Sequence, residues 1–71
     1  MPIAVERRVE ITVVASGLHD GWSFWVTVPT YDTVSDFAVA SLARAQALAD
    51  LGSKGVAVSS LEVTRIEPLN D

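Results

Sequence analysis

The pattern of hydrophobic and polar positions predicts a β-hairpin in the first half of the chain. Residues two apart on a strand point to the same face, so two alternating apolar runs define one core side. The runs are Val9, Ile11, Val13 and Ala15, then Trp22, Phe24, Val26 and Val28. The predicted strands cover residues 7–16 and 22–28, and Pro29 is expected to end the second because proline removes a ladder donor. Asp20-Gly21 is expected to make the turn, with Gly21 supplying a positive φ.

A helix is predicted after the hairpin. Thr33 and Asp36 have the spacing of a capping box, and Gly52 is a typical helix stop. Phe37 is expected to pack from the middle of the apolar stripe onto the second strand, against Phe24 and Val26. The stripe has spacings of three and four residues and comprises Val34, Phe37, Ala38, Ser41, Leu42, Ala45, Leu48 and Ala49.

A third strand is predicted over residues 55–67, but its alternation changes phase. Val58 is even-numbered, whereas Leu61 and Val63 are odd-numbered, with Ser59-Ser60 between them. A slip of one residue turns every later side chain to the other face. Either a β-bulge lies at Ser59-Ser60, or the second half of the strand faces something else, such as a partner subunit.

These elements predict a two-layer α+β domain with the order ββαβ over residues 1–71. A right-handed crossover makes the third strand parallel to the second and places it beside the first. The expected sheet has three strands, antiparallel or mixed, in the order 2-1-3, with one helix on one face. The outer strands leave two open edges, which favour pairing with another chain.

Composition narrows the class of protein. The chain has 71 residues, 49% of them hydrophobic, and no cysteine, so a small core lacks disulfide support and a homodimer or higher oligomer is expected. The net charge of −4 disfavours nucleic acid as a partner, because an acidic surface repels phosphates. The start of the chain resembles no signal peptide and no apolar run is long enough for a membrane span, so a cytoplasmic location is expected. Four Arg against one Lys indicate a GC-rich coding sequence, such as that of an actinobacterium or its phage.

Residues with catalytic or metal-binding chemistry are few, and each has a structural explanation. His19 beside Asp20 could act as a general base, but turn chemistry explains the pair better. Asp20, Asp32 and Asp36 lack the spacing of a calcium loop, and helix capping accounts for the last two. Ser59-Ser60 is better explained as a polar bulge than as a nucleophile. We therefore expect no enzyme activity, no metal and no cofactor.

Trp25 is the main functional candidate. Strand parity places it opposite the core residues of its strand, among polar neighbours, and a large exposed aromatic is typical of a contact surface. The predicted protein-binding residues are Trp25, Thr27, Thr12, Tyr31, Leu61 and Val63. The alternative is that Trp25 and Tyr31 form a stacking platform for a small molecule or single-stranded nucleic acid.

The segment Trp22-Ser23-Phe24-Trp25-Val26-Thr27-Val28-Pro29, followed by Thr33-Val34-Ser35-Asp36 and an alanine-rich helix, resembles HicB-like antitoxin domains. In that family an aromatic-Val-x-Val-Pro strand precedes the helix. The resemblance covers residues 7–66 in outline. It implies a partial RNase H-like arrangement of sheet and helix, and a role in capping a small toxin. The expected function is that of a small non-enzymatic protein-interaction module, with an antitoxin-like protein or a phage-encoded inhibitor that binds another protein as its concrete form.

Overall fold

The computed structural model describes residues 1–17 and 20–68. Its elements are β1 (Ala4–Ala15), β2 (Trp22–Tyr31), α1 (Asp36–Ser53) and β3 (Val58–Ile66). Both outer strands pair antiparallel with β1, giving the order β2-β1-β3, and α1 covers one face. The predicted α+β fold and strand order are therefore confirmed. The expectation for His19 lies outside the described residues.

The core lies between α1 and one face of the sheet. Its buried residues are Val9, Ile11, Val13, Val26, Val28, Val39, Ala43, Ala47, Leu51 and Leu61. Alternation along β1 predicted its core side correctly, because a central strand is packed along its whole length on that face. Trp22 is a correction, since 40% of it is exposed. It is the first residue of an edge strand, where no neighbouring strand covers its outer flank.

The helix packs with a different face from the one predicted. Its buried residues are Val39, Ala43, Ala47 and Leu51, which are spaced four residues apart. Phe37, in contrast, is 83% exposed and does not pack against the second strand. Both faces of α1 are apolar, so periodicity alone cannot select between them. The face with smaller side chains allows a closer approach of helix to sheet, and this is the face that is buried.

Ser35, and not Thr33, caps the start of α1. The Ser35 hydroxyl accepts a hydrogen bond from the Ala38 backbone N–H at 3.2 Å, which satisfies one of the free donors of the first turn. Asp32 is no helix cap either: its Oδ1 accepts the Ile3 backbone N–H at 3.0 Å and so ties the chain before β1 to the end of β2. The predicted stop at Gly52 lies inside the helix, which ends at Ser53.

The hairpin turn and the end of β2 also differ from expectation. The positive φ belongs to Gly17, at 87°, and not to Gly21. Gly21 is required for space, because a Cβ there would lie 2.5 Å from the Val13 carbonyl oxygen. Pro29 does not end β2, which continues to Tyr31. A proline is tolerated there because β2 is an edge strand.

Two bulges explain the phase change in β3. The pairing with β1 shifts between Val14 and Ala15, where Ser59 is the extra residue, and again between Glu10 and Ile11, where Thr64 is extra. The predicted bulge at Ser59-Ser60 is thus confirmed, and the second bulge was not expected. Together they keep all the apolar residues of β3 on the core side, at uneven spacings of three, two and three. These residues are Val58, Leu61, Val63 and Ile66.

Each bulge residue supplies a hydroxyl to the neighbouring strand. Ser59 Oγ donates to the Val14 carbonyl at 3.0 Å, and Thr64 Oγ1 donates to the Glu10 carbonyl at 3.2 Å. These carbonyls lie at the two points where the register shifts. A bulge disrupts the backbone ladder locally, and these two hydroxyls add hydrogen bonds between the strands at those points.

Candidate protein-binding surface

The side of the sheet opposite α1, here called the outer face, is the site predicted from Trp25. The register places these side chains on it: Arg8, Glu10, Thr12, Val14, Ser23, Trp25, Thr27, Ser60, Glu62 and Arg65. Within residues 1–17 and 20–68, no helix or strand packs over this face. A sheet with one covered and one open face is typical of small two-layer domains. The open face is the surface available to a partner.

Trp25 lies on the edge-strand side of the outer face and is 38% exposed. The Arg8 guanidinium lies over its ring, with the central carbon 4.7 Å from the ring centroid. Arg8 Nη1 also forms an ion pair with Glu67 Oε2 at 3.1 Å. The guanidinium thus covers one face of the ring, and this contact limits the rotamers of Trp25 before any partner arrives. A pre-ordered tryptophan loses less conformational entropy on binding than a free one.

Hydroxyl groups surround the tryptophan on the central part of the outer face. Thr12 Oγ1 and Ser23 Oγ lie 2.8 Å apart across β1 and β2. Thr64 Oγ1 approaches Glu10 Oε1 at 3.1 Å across β1 and β3. An apolar anchor within a polar surround is the usual anatomy of a protein contact site. These short hydroxyl side chains lie among the longer charged side chains of the same face.

The predicted site residues occupy two different faces. Trp25, Thr12 and Thr27 lie together on the outer face. Tyr31 is on the same side and 53% exposed, but it is six residues from Trp25, roughly 20 Å along the strand. Leu61 and Val63 are a correction, because the bulges keep them on the core side, where Leu61 is only 8% exposed. They do not join the Trp25 surface.

Leu61 and Val63 instead line an open trough between α1 and β3, with a volume of about 550 Å³. Phe37 forms part of its wall, and Leu42 and Leu48 are also exposed on the helix, at 50% and 46%. This exposed apolar helix face consists of residues that the sequence pattern assigns to the core. Sequence reasoning therefore missed it as a surface. Glu10 was expected among the polar neighbours of Trp25, but neither it nor Arg8 was predicted as a binding residue, although both share the parity of Thr12.

Arg7 is the one strongly buried charge among the described residues, at 5% exposure. It points to the opposite face from Arg8, as strand parity predicts. Its Nη2 donates to Asp36 Oδ1 at 2.8 Å and, at 3.4 Å, to the Glu67 carbonyl, while its Nε has no partner. Arg7 thus links the first turn of α1 to β1 and to the segment after β3. This is a structural role.

Replacing Asp36, the ion-pair partner of Arg7, should lower the free energy of unfolding more than replacing Arg7 itself. Asp36→Ala leaves a buried guanidinium with fewer hydrogen bonds and should lower the free energy of unfolding by about 1–3 kcal/mol. Arg7→Met removes the buried charge with a similar volume and should be close to neutral or stabilising. Urea denaturation of both variants and of the double variant measures this. An Arg7→Met loss as large as that of Asp36→Ala would contradict the assignment.

The chain matches no protein-family model, no curated protein and no solved structure. The described residues contain no cluster of three or more His, Asp or Glu side chains able to hold a metal ion. No helix in the part of the chain that the structure describes is both long and apolar enough to cross a lipid bilayer. Inferences about function therefore depend on the surface chemistry described above and on the sequence resemblance.

Proposed function

We propose that the chain is a small non-enzymatic protein-interaction module that binds another protein through its outer face. The observation that carries the proposal is the placement of Trp25 on an uncovered sheet surface, ordered by Arg8 and surrounded by hydroxyl groups. Tryptophan and arginine are the residues most enriched among those that dominate binding energy at protein interfaces. Trp25 would be the anchor, with Thr12 and Thr27 as neighbouring contacts.

The electrostatics of the outer face favour a protein over nucleic acid. Arg8 is paired with Glu67, Arg65 lies opposite Glu10, and Glu62 lies on the same face, so the outer face carries no excess of positive charge. The chain carries a net charge of −4, so a phosphate backbone would be repelled over most of the surface. A protein partner needs only a pocket for the indole ring and a polar rim.

An antitoxin-like protein, or a phage-encoded inhibitor, is the concrete form of this proposal. Its support is the resemblance of residues 22–29 and the following helix to HicB-like antitoxin domains. In the structure the corresponding elements are β2 and α1, joined by four residues, Asp32–Ser35. The partner would then be a small toxin, and binding would act by covering the partner's own functional surface.

A stacking platform for a small molecule or for single-stranded nucleic acid is the weaker alternative. Trp25 and Tyr31 lie too far apart to stack on one base, and Arg8 already occupies one face of the indole ring. The two functions differ in their response to salt. Phosphate contacts weaken steeply as salt concentration rises, whereas binding centred on an apolar anchor should change little.

Trp25→Ala is expected to weaken partner binding while leaving the fold intact. The loss in binding should be about 2 kcal/mol or more, close to a thirtyfold increase in Kd. The melting temperature should change little, because an exposed cation–π contact contributes only about 0.5–1 kcal/mol. Trp22→Ala should also be mild, since the structure places Trp22 outside the core.

The measurement is affinity capture from a lysate of the native host, followed by mass spectrometry of the bound proteins. Wild type is compared with Trp25→Ala and with Phe37→Ala, a matched control that removes an exposed aromatic from the helix side. We expect the specific partner to be lost with Trp25→Ala only. Equal recovery with Trp25→Ala and wild type would refute the outer face as the binding site.

A further inference from the structure

The two open edges of the sheet differ in how they are protected against pairing. The β3 edge has bulges at Ser59 and Thr64 and carries Glu62 and Arg65. Bulges and charges are the usual devices that keep an edge strand from adding a neighbour. β2 has neither: its register with β1 is unbroken over ten residue pairs, and none of its ten residues is charged. Among the described residues, the β2 edge is therefore the one suited to another strand.

The unprotected part of β2 has definite limits. It runs from Trp22 to Val28, between Gly21 and Pro29. Proline cannot donate to a ladder, so added pairing is expected to stop at Pro29. The seven residues are centred on Trp25, and an antiparallel pairing of the segment with a copy of itself would use its whole length.

Such a self-pairing would match the chemistry on both faces of the strand. With the two-fold axis at Trp25, Phe24 of one copy lies opposite Val26 of the other, on the core side. Ser23 of one copy lies opposite Thr27 of the other, on the outer face. No charged residues meet, which matters for two chains that each carry a net charge of −4.

A trough beside β2 and the partly exposed tryptophans of this strand support the same antiparallel self-pairing. A trough of about 370 Å³ runs between β2 and α1, lined by strand residues and by Gln46, Ala47 and Asp50. Asp50 is paired with Lys54 at 3.1 Å, so the wall presents no unpaired charge. Trp22 and Trp25 are partly exposed on opposite faces of the same strand, at 40% and 38%. A neighbouring strand would cover apolar surface on both faces.

We propose that two copies of this chain pair antiparallel through β2, centred on Trp25, to form one six-stranded sheet with both helices on the same side. The inference goes beyond the proposed function, because it concerns pairing of the chain with itself along the β2 backbone; the two Trp25 side chains then lie side by side on the outer face. A small core without disulfides gains stability from such an association. The β3 edges would become the two outer edges of the dimer, and they are the protected ones.

The test uses two charged variants of the β2 edge, S23K/T27K and S23E/T27E, studied by analytical ultracentrifugation of the purified chains. Wild type should have about twice the 7.6 kDa mass of one chain at high micromolar concentration. Each variant alone should be monomeric, because its charges meet like charges across the two-fold axis. An equimolar mixture should restore the dimer mass. Ser60→Lys, on the outer face of β3, is the matched control and should remain dimeric.

A monomeric wild type, or a dimeric S23K/T27K variant, would overturn the proposal. Circular dichroism verifies that the charged variants are folded. Hydrogen exchange of wild type needs no variant: protection of β2 amides should rise with protein concentration, while protection of β3 amides should not. Equal responses of both strands would also overturn it. These outcomes are separate from the lysate capture, which reads binding of a second protein.

Discussion

Replacing Ile11 with alanine is expected to lower the free energy of unfolding by about 2–5 kcal/mol. Ile11 is fully buried on the central strand and lies between Phe24 on β2 and Val63 on β3. The loss combines transfer energy with the cost of a cavity that β1 cannot close, because it is held on both sides. A domain of this length has a total stability of about 4–11 kcal/mol, so the variant should be close to unfolded. Thermal denaturation by circular dichroism should show a Tm lower by about 15 °C or more.

Phe37→Ala is the matched control for Ile11→Ala. Phe37 is 83% exposed, so its removal should change the free energy of unfolding by no more than about 0.5 kcal/mol. The sequence pattern alone predicts the reverse, with Phe37 as a core residue. A large loss with Phe37→Ala, together with a mild effect of Ile11→Ala, would show that α1 packs with its other face.

Gly21→Ala should destabilise the hairpin by about 1–3 kcal/mol, as overpacking of a tight site does. The added Cβ would lie 2.5 Å from the Val13 carbonyl oxygen and 3.0 Å from a methyl carbon of Val14. The carbonyl belongs to the backbone of β1 and cannot rotate away, so the strands must separate locally. Urea denaturation measures the loss, and amide exchange should show it concentrated at the turn end of β1 and β2.

Gly52→Ala is the paired control, because the same substitution should here raise the free energy of unfolding instead of lowering it. Gly52 lies in the last turns of α1, and a Cβ there meets nothing within 4 Å. Alanine is favoured over glycine in a helix by up to about 1 kcal/mol. The variant should therefore be more stable than wild type. Equal effects of the two substitutions would mean that the Gly21 contact is not what limits the turn.

The sheet was predictable from sequence because its rules are local. Alternation sets the faces of β1, and a right-handed crossover sets the position of β3. The bulge at Ser59-Ser60 could be anticipated because apolar residues lie on both sides of the phase change. The second bulge, at Thr64, was missed because Ile66 is the one apolar residue of the predicted strand after Thr64, and a single residue out of phase does not define a shift.

The helix face was not predictable from periodicity, for a physical reason. Val39, Ala43, Ala47 and Leu51 form one apolar stripe, and Phe37, Leu42 and Leu48 belong to another. Selecting between them requires the distance from helix to sheet, which tertiary packing determines. The outer face was predicted from the parity of Trp25, whereas the cation over its ring could not be inferred without knowing the rotamer of Arg8.

The bulges of β3 make part of the bonding between two strands depend on side chains. In a regular strand the backbone ladder is the same whatever the residues are, so point mutation alters it only through proline. Here the carbonyls of Val14 and Glu10 accept from the hydroxyls of Ser59 and Thr64. Single-nucleotide changes at two codons can therefore loosen or tighten the attachment of one strand without touching the core. The attachment of β3 is thus open to gradual evolutionary adjustment through residues outside the core.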